Sequence, residues 1–550
     1  MKFNLATVFE TVADVVPDRV ALSYEGRDLS YAQFDAEATQ VGHLFAGAGI
    51  RAGEHVALYL KNCVEHVTSM IGLLKIRAVP INVNYRYTDS ELEYLFTNAD
   101  TVGIVVEEPA HQQALARLLE KLPLVRTVFV VGEADPGLQR AAEGRGVALV
   151  DLADFAQQSD KRDFPERTGD EHYILYTGGT TGYPKGVVWT HDDLFHKPLN
   201  GGNPYGDAHP DLRAIADAAT AMPPLAFLIA APLMHGAASY AMFFYFIFGG
   251  RLVMLRDFDP KRIVDGIAHD GLQSLLIVGD AMGMPLVEEM ERRRDEVDYS
   301  PVFMVSSGGA IWSQACRDRF HALVPNAILR DNFGASESGN DGEISLDANG
   351  NLRVPATDRM LVVDDRLVEL PTGPENVGLI ARLGPVPQGY YKDADKTAKT
   401  FKTLPDGRRC SVLGDMGYRD HDGSIVFLGR GSQCINTGGE KVYVEEVENV
   451  LHGHPAVADV LVVAVPDPRL GERVAAVVAP RDGATPTLEE IQAHARGALA
   501  GYKVPRDVVL VPEVRRTPAG KADYKWAKQV AREQAERTDE TGRAALSRQP

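Results

Sequence analysis

The stretch "HYILYTGGTTGYPKG", residues 172–186, sets an apolar run against a loop of glycines and threonines that ends in one lysine. A short apolar run bounded by glycines reads as a buried strand that delivers a loop. A Walker loop would place Ser or Thr directly after the lysine to bind Mg²⁺. Here Pro184 precedes Lys185 and Gly186 follows it, so that pattern fails. The loop still suits phosphate. Gly178, Gly179 and Gly182 let backbone N–H groups converge, Thr177, Thr180 and Thr181 add donors, and Lys185 adds charge. A bare surface turn has little use for three threonines and a lysine.

Outward from this loop, short apolar runs alternate with helical patterns: "HVALYL", "RLVMLRDF", "LQSLLIV", "PVFMVSSGG" and "NAILRDNFG". That rhythm predicts an α/β fold with largely parallel sheets. From about Gly373 the texture turns β-rich, with frequent Gly-Asp turns. After Arg430 a compact unit follows: "VYVEEVENVLHGHP" as a helix, "ADVLVVAVPD" and "ERVAAVVAP" as strands, and "TLEEIQAHARGAL" as a second helix opened by a Thr487/Glu490 capping box. The fold class expected is α/β. It comprises a large N-terminal domain of α/β sheets with a β-rich subdomain (1–429), a bridge of small residues at 430–433 that could be a hinge, and a small C-terminal α+β domain (434–530). A charged, flexible tail (531–550) ends the chain.

The chain has 550 residues, more than one core normally serves, and a net charge of −19. That charge argues against a nucleic-acid surface. The four cysteines, Cys63, Cys316, Cys410 and Cys434, are too dispersed for a disulfide scaffold, so a reduced, cytoplasmic location is expected. The N-terminal segment reads as an amphipathic helix, because acidic residues interrupt any secretory core. The run "AASYAMFFYFIFGG" (237–250) is too short for a membrane span and reads as a buried core helix.

Five further stretches carry chemistry. "SSGGA" (306–310) and "DNFGASESG" (331–339) read as glycine-bearing turns at strand ends, where open α/β sheets place ligands. Phe333 could stack on a purine or simply pack, and Glu337 could hold Mg²⁺ or be a solvated loop acid. Asp415, in a Gly-Asp turn, could chelate a ribose diol or merely form the turn. "GRGSQCINTGGEKVYVEEVE" (429–448) joins the domains through small residues, and "RTPAGKADY" (516–524) puts Lys521 on a glycine turn.

In this order the six motifs resemble those of the adenylate-forming superfamily, which includes acyl-CoA synthetases, aryl-CoA ligases, luciferases and adenylation domains. The phrasings "ILYTGGTTGYPKGV", "GRGSQCINTGGEKVYVEEVE" and "GYKVPR…RTPAGKADYKWAK" are closest to actinobacterial acyl-CoA synthetases acting on steroid side-chain acids. The resemblance spans nearly the whole chain. It implies that residues 177–185 cover the β- and γ-phosphates of ATP, with Gly308, Gly309 and Phe333 enclosing the adenine. Ala310, Asn332 and Gly334 would complete the nucleotide site. Ser336 would touch the α-phosphate and substrate carboxylate, and Glu337, with Thr177, would bind Mg²⁺. Asp415 and Arg430 would take the ribose, and Lys521 would bridge carboxylate and α-phosphate. His235 falls at the family's gate beside the acyl site, where a core histidine is the alternative. Gly236, Ala237, Gly279 and Ala335 would line the acyl pocket.

The chemistry implied is activation of a carboxylate as an acyl-adenylate, with loss of pyrophosphate, followed by attack of the coenzyme A thiol. Between the steps the small domain would rotate about the hinge. Asn436, Gly438 and Gly439 would line the pantetheine channel, which suits residues without side chains. Two positions depart from the family: Ser432 replaces the usual Asp or Lys after the hinge arginine, and Leu413 replaces a threonine before Gly-Asp. Small residues and methionines around 234–238 and 278–286 suggest a roomy acyl pocket or ordinary core packing. With the resemblance, a steroid side-chain carboxylate ranks first and a medium- or long-chain fatty acid second. Rival readings are a carrier-loading adenylation enzyme, a luciferase-type oxygenase and a non-catalytic nucleotide or acyl sensor. Small-molecule partners (acid, ATP, coenzyme A), no nucleic acid, no transmembrane segment and a homodimer complete the expectations.

Overall fold

The computed structural model describes every residue except 1, 180–181, 204–205, 309–311, 347–351, 431–433, 438–439, 468–469, 517–521 and 547–550. The chain divides into two compact units. The first comprises Met1–Trp312, Cys316–Asp341 and Gly384–Lys402, and the second Ser313–Ala315, Gly342–Leu383 and Thr403–Pro550.

The first unit holds two eight-stranded sheets. One runs in the order Gly339–Glu343, Ile328–Ala335, Met304–Gly308, Ser274–Ile277, Ala226–Ile229, Arg251–Met254, Val20–Tyr24, Arg27–Ser30. The other runs Gly389–Tyr390, Gly182–Thr190, His172–Gly179, Val79–Asn82, His55–Tyr59, Thr101–Val106, Thr127–Val130, Ala148–Asp151. Their interiors are parallel, as the alternation of strands and helices predicts. The antiparallel pairs lie toward the edges, in the hairpin of Val20–Tyr24 with Arg27–Ser30 and in the hairpin of the opening motif.

Side chains alternate across each sheet. Val56 and Leu58 enter a core shared with helices Leu5–Val15, Tyr31–Gly47, Val64–Lys75 and Gly236–Ile247, together with Phe227, Ile229 and Leu252 of the other sheet. Ala57 and Tyr59, one residue along, enter a separate core on the opposite face. Leu228, Leu275 and Ile277 do the same on the outer face of the first sheet. The unit is therefore layered, with helices between and outside two sheets, and both sheet faces are covered. The helix read from "AASYAMFFYFIFGG" spans Gly236–Ile247 and lies in the shared core. Among the described residues no helix is long and apolar enough to cross a membrane.

The second unit contains a largely antiparallel sheet with the path Ser345–Leu346, Leu352–Val354, Ile425–Arg430, Arg409–Arg419, Gly378–Leu383, Met360–Val363. It also contains a smaller sheet, Glu440–Val442, Ile435–Thr437, Gly471–Pro480 and Val457–Asp467, with Asp507–Leu510 parallel to Gly471–Pro480. Helices Val444–His452 and Leu488–Arg496 cover one face of the smaller sheet through Val460 and Val462. Helix Tyr524–Leu546 covers the other through Leu461, Val463 and Val465. The Thr487/Glu490 capping box is present.

The limits drawn from sequence differ from these units. The β-rich segment groups with the C-terminal sheet, and residue 530 falls inside helix Tyr524–Leu546. Ala531 and Ala535 are buried on the same face as Ala527, which holds that helix to the sheet beyond the drawn limit.

Candidate active site

The opening motif is a hairpin. Strand His172–Gly179 runs antiparallel to Gly182–Thr190, with Thr177 opposite Lys185 and Gly179 opposite Gly182. The loop expected between residues 176 and 186 is thus mostly strand, and only its tip, with Thr180 and Thr181, lies outside the described residues. Buried Asn82 clamps the incoming strand. Its Oδ1 accepts from the Tyr176 N–H at 2.6 Å, and its Nδ2 donates to the Tyr176 carbonyl at 2.8 Å and the Met234 carbonyl at 2.6 Å. One amide therefore ties the phosphate hairpin to the segment that precedes His235.

The "DNFGASESG" stretch is also less of a turn than expected. Strand Ile328–Ala335 continues through Asn332, Phe333 and Gly334, and only Ser336–Ser338 separates it from Gly339–Glu343. Gly334 permits this return, because a Cβ there would stand 2.0 Å from the Gly339 carbonyl oxygen. Gly308 ends the neighbouring strand opposite Asn332, whose Nδ2 donates to the Ser307 carbonyl at 3.1 Å. Gly309 and Ala310 lie outside the described residues. The Ser307 hydroxyl accepts from the Gly279 N–H at 2.9 Å, so the "SSGGA" strand also fixes the start of helix Gly279–Arg292.

Three contacts gather these parts around Ser336 and Glu337. Buried Trp189 donates its indole N–H to the Ser336 carbonyl at 2.9 Å. Gly236, first residue of helix Gly236–Ile247, approaches so closely that an added Cβ would lie 2.6 Å from Leu175 and 3.5 Å from the Ser336 hydroxyl oxygen. The Tyr390 hydroxyl donates to Glu337 Oε1 at 2.8 Å, and Lys185 Nζ lies 5.2 Å from the centre of the Tyr390 ring. Tyr390 reaches both because Gly389–Tyr390 pairs with Val187 and Val188 of the phosphate hairpin. Burial, reinforced by the Glu337 carboxylate, pushes its phenol above the usual tyrosine range, so it stays a proton donor at neutral pH.

Of the acyl-pocket residues, His235 immediately precedes helix Gly236–Ile247 without capping it. His235, Gly236 and Ala335 are half-buried, and Ala237 is exposed. The close approach at Gly236 brings the segment expected to line the acyl pocket to Ser336. Met234 is buried in the strand-to-helix connection.

In the second unit, Asp415 and Arg430 are partners in strand register. Arg382, buried and two strands from Arg430, donates to Asp415 Oδ2 at 2.5 Å. This ion pair fixes one oxygen of the carboxylate expected to meet ribose. Asn436 sits in strand Ile435–Thr437 opposite Lys441. Ser432, Gly438, Gly439 and Lys521 lie outside the described residues. The segment 517–521 is nonetheless bracketed: Arg516 and Ala522 form an isolated antiparallel bridge, and the Asp523 N–H donates to the Arg515 carbonyl at 3.1 Å.

Mg²⁺ sites are often completed by substrate phosphates around one or two protein carboxylates. Glu337 fits that use: it is a half-buried carboxylate with one oxygen occupied by Tyr390. Among the described residues no cluster of three or more His, Cys, Asp or Glu forms a protein cage.

Sequence reasoning missed Asn82, Trp189, Arg382 and Tyr390. Each acts on a partner at least 33 residues away, so local spacing carries no trace of it.

Residues 9–391 match the AMP-binding enzyme family and residues 446–521 the AMP-binding enzyme C-terminal domain. The chain is 41% identical, over 97% of its length and 97% of the relative's, to the medium/long-chain-fatty-acid–CoA/3-oxocholest-4-en-26-oate–CoA ligase of Mycolicibacterium smegmatis. It is 42% identical, over 96% of each chain, to the 3-oxocholest-4-en-26-oate–CoA ligase of Rhodococcus rhodochrous. The ATP-bound structure of MatB from Rhodopseudomonas palustris superposes with a TM-score of 0.76 at 25% identity, covering 96% of this chain and 99% of that one. The phosphate hairpin, the Ser336–Glu337 loop and the match over residues 9–391 agree: the chain belongs to the AMP-binding enzyme family.

Proposed function

We propose that this chain is an ATP-dependent, AMP-forming acyl-CoA synthetase for a bulky apolar carboxylic acid. A steroid side-chain carboxylate of the 3-oxocholest-4-en-26-oate type is the first substrate class, and medium- or long-chain fatty acids are the second. The observation that carries the reading is the 41–42% identity, over nearly full length, to ligases named for those two acid classes. The site supports it with a phosphate hairpin, a carboxylate at Glu337 and an acyl segment at Gly236 that meets Ser336.

A carboxylate resists thiol attack because its leaving group would be an oxide. Joining it to AMP replaces that group with a phosphate monoester. In the first step the substrate carboxylate oxygen attacks the α-phosphorus and the bond to pyrophosphate breaks. In the second the thiol sulfur of coenzyme A attacks the acyl carbon, AMP leaves, and the thiol proton passes to solvent. Lys185 would hold the departing pyrophosphate, and Ser336 the α-phosphate and carboxylate. Lys521 would neutralise the two anions as they meet. Mg²⁺, when bound by Glu337 and Thr177 with the phosphates, supplies charge neutralisation there. Phe333, Gly308 and Asn332 would flank the adenine, and Asp415, held by Arg382, would take the ribose with Arg430. The segment 430–433 would serve as the hinge, and Asn436, Gly438 and Gly439 as the channel for pantetheine. A cytoplasmic homodimer is the assembly proposed.

Pyrophosphate release with a panel of steroid, fatty and aryl acids, with and without coenzyme A, tests the reading. Acid-dependent release with thioester formation, fastest for the steroid acid, is expected. No release with any acid would overturn it, and release without thioester would favour a carrier-loading enzyme.

A further inference from the structure

Tyr390 has two unlike contacts with the nucleotide site. Its hydroxyl occupies Glu337 Oε1 at 2.8 Å, and its ring faces Lys185 Nζ at 5.2 Å. It is set there by strand pairing to Val187 and by the packing of its ring against Phe401, with centroids 5.4 Å apart. The Tyr390 N–H is also bonded to the Thr397 hydroxyl at 2.8 Å, which fixes the backbone. A side chain held at backbone and ring has little freedom to give up when a ligand arrives.

We infer that Tyr390 is a positioning residue that holds both the leaving-group lysine and the metal carboxylate in place. By donating to Oε1 it holds Glu337 in one rotamer, in which the second oxygen would be left for the cation. By facing Lys185 it keeps that ammonium at the hairpin in the absence of phosphate. The two halves separate chemically: the hydroxyl acts only through Glu337, and the ring acts only on Lys185. The inference rests on the nucleotide-site reading above.

The test uses the full-length protein, α,β-methylene-ATP and Mn²⁺, with Mn²⁺ binding followed by electron paramagnetic resonance and nucleotide binding by calorimetry. Tyr390→Phe keeps the ring and removes the hydroxyl. It should weaken Mn²⁺ binding to the nucleotide complex about tenfold, the scale of one hydrogen bond to a charged group. Its affinity for the analogue in EDTA should equal wild type. Tyr390→Leu should show the same loss for Mn²⁺ and, in EDTA, a further loss of about threefold for the analogue, because the cation–π contact is gone. Tyr390→Phe that binds Mn²⁺ like wild type would overturn the inference. So would equal weakening with and without metal, which marks a merely structural role. If wild type binds neither analogue nor Mn²⁺, the nucleotide-site reading falls and this inference with it. If wild type binds both but no acid supports pyrophosphate release, the proposed reaction fails while the role of Tyr390 stands.

Discussion

Asn82 carries more of the site than its place in a four-residue strand suggests. It sits in "VPIN", a run that reads only as a buried strand, yet its amide bonds to residues 94 and 152 positions away. Nothing within a helix turn or a strand repeat could have marked it. Asn82→Ala should cost about 2–4 kcal/mol, since three buried backbone groups lose their partner. Chemical unfolding would measure that, and pyrophosphate exchange should fall with it because the hairpin loses its anchor. Wild-type stability for this variant would show the clamp to be dispensable.

Two other buried residues make the fold sensitive to acid. Burial pushes the His66 and His191 imidazoles from the ordinary 6.5 down to about 4. The folded state then binds fewer protons than the unfolded chain between those values. Their contribution is therefore full above about pH 6.5 and lost as pH falls toward 4. The slope is about 1.4 kcal/mol per pH unit for each group. Urea unfolding from pH 7 to pH 5 should show the decline, and His66→Gln should make it shallower. An unchanged slope in that variant would refute the assignment.

Elements were legible where the signal is local. The Thr487/Glu490 box, the buried helix Gly236–Ile247 and the strand–helix rhythm follow from spacing over a few residues. The glycine and serines after Arg330 predict a turn, but the strand runs on to Ala335, and pairing with Met304–Gly308 carries it through Asn332. Tertiary pairing outweighs local preference there.

Helix Tyr524–Leu546 raises a related matter at its start, three residues after Lys521. Its Tyr524 hydroxyl donates to Glu448 Oε2 at 2.9 Å, and Glu448 Oε1 accepts from the Val462 N–H at 2.7 Å. Burial holds the Glu448 carboxyl well above its ordinary value. The folded state favours the protonated acid, so this contribution is full below pH 4.5 and lost as pH rises through the folded value. Glu448→Gln should therefore gain in Tm relative to wild type as pH increases from 5 to 8. A constant difference would exclude titration of Glu448 in that range. Tyr524→Phe should slow adenylation more than thioester formation from supplied acyl-AMP, because the bond anchors the segment after Lys521. Equal loss in both half-reactions would mark a general folding defect.

At the scale of the whole molecule, the proposed site residues fall in two compact units. The first carries Thr177, Lys185, His235, Ser336 and Glu337, and the second carries Asp415, Arg430 and Lys521. A motif scan reads that division because each motif is contiguous. It does not reveal Arg382 beneath Asp415 or Tyr390 beside Glu337, since strand order in a sheet is not written in any short window. Lys521→Ala should lower adenylation at least about 100-fold, the scale of a lost charged group at a developing anion. It should leave thioester formation from supplied acyl-AMP close to wild type. Gly439→Leu should do the reverse. Matching losses in both half-reactions for both variants would refute the separation of roles.

The bond from Trp189 to the Ser336 carbonyl has an optical consequence. The chain has three tryptophans, and among the described residues only the Trp189 indole donates to the backbone of the Ser336–Glu337 loop. With Trp312 and Trp526 replaced by phenylalanine, the emission of the remaining indole becomes a gauge of how firmly that carbonyl is held. Stopped-flow mixing with ATP and acid should then resolve adenylate formation as a shift in wavelength before any product is released.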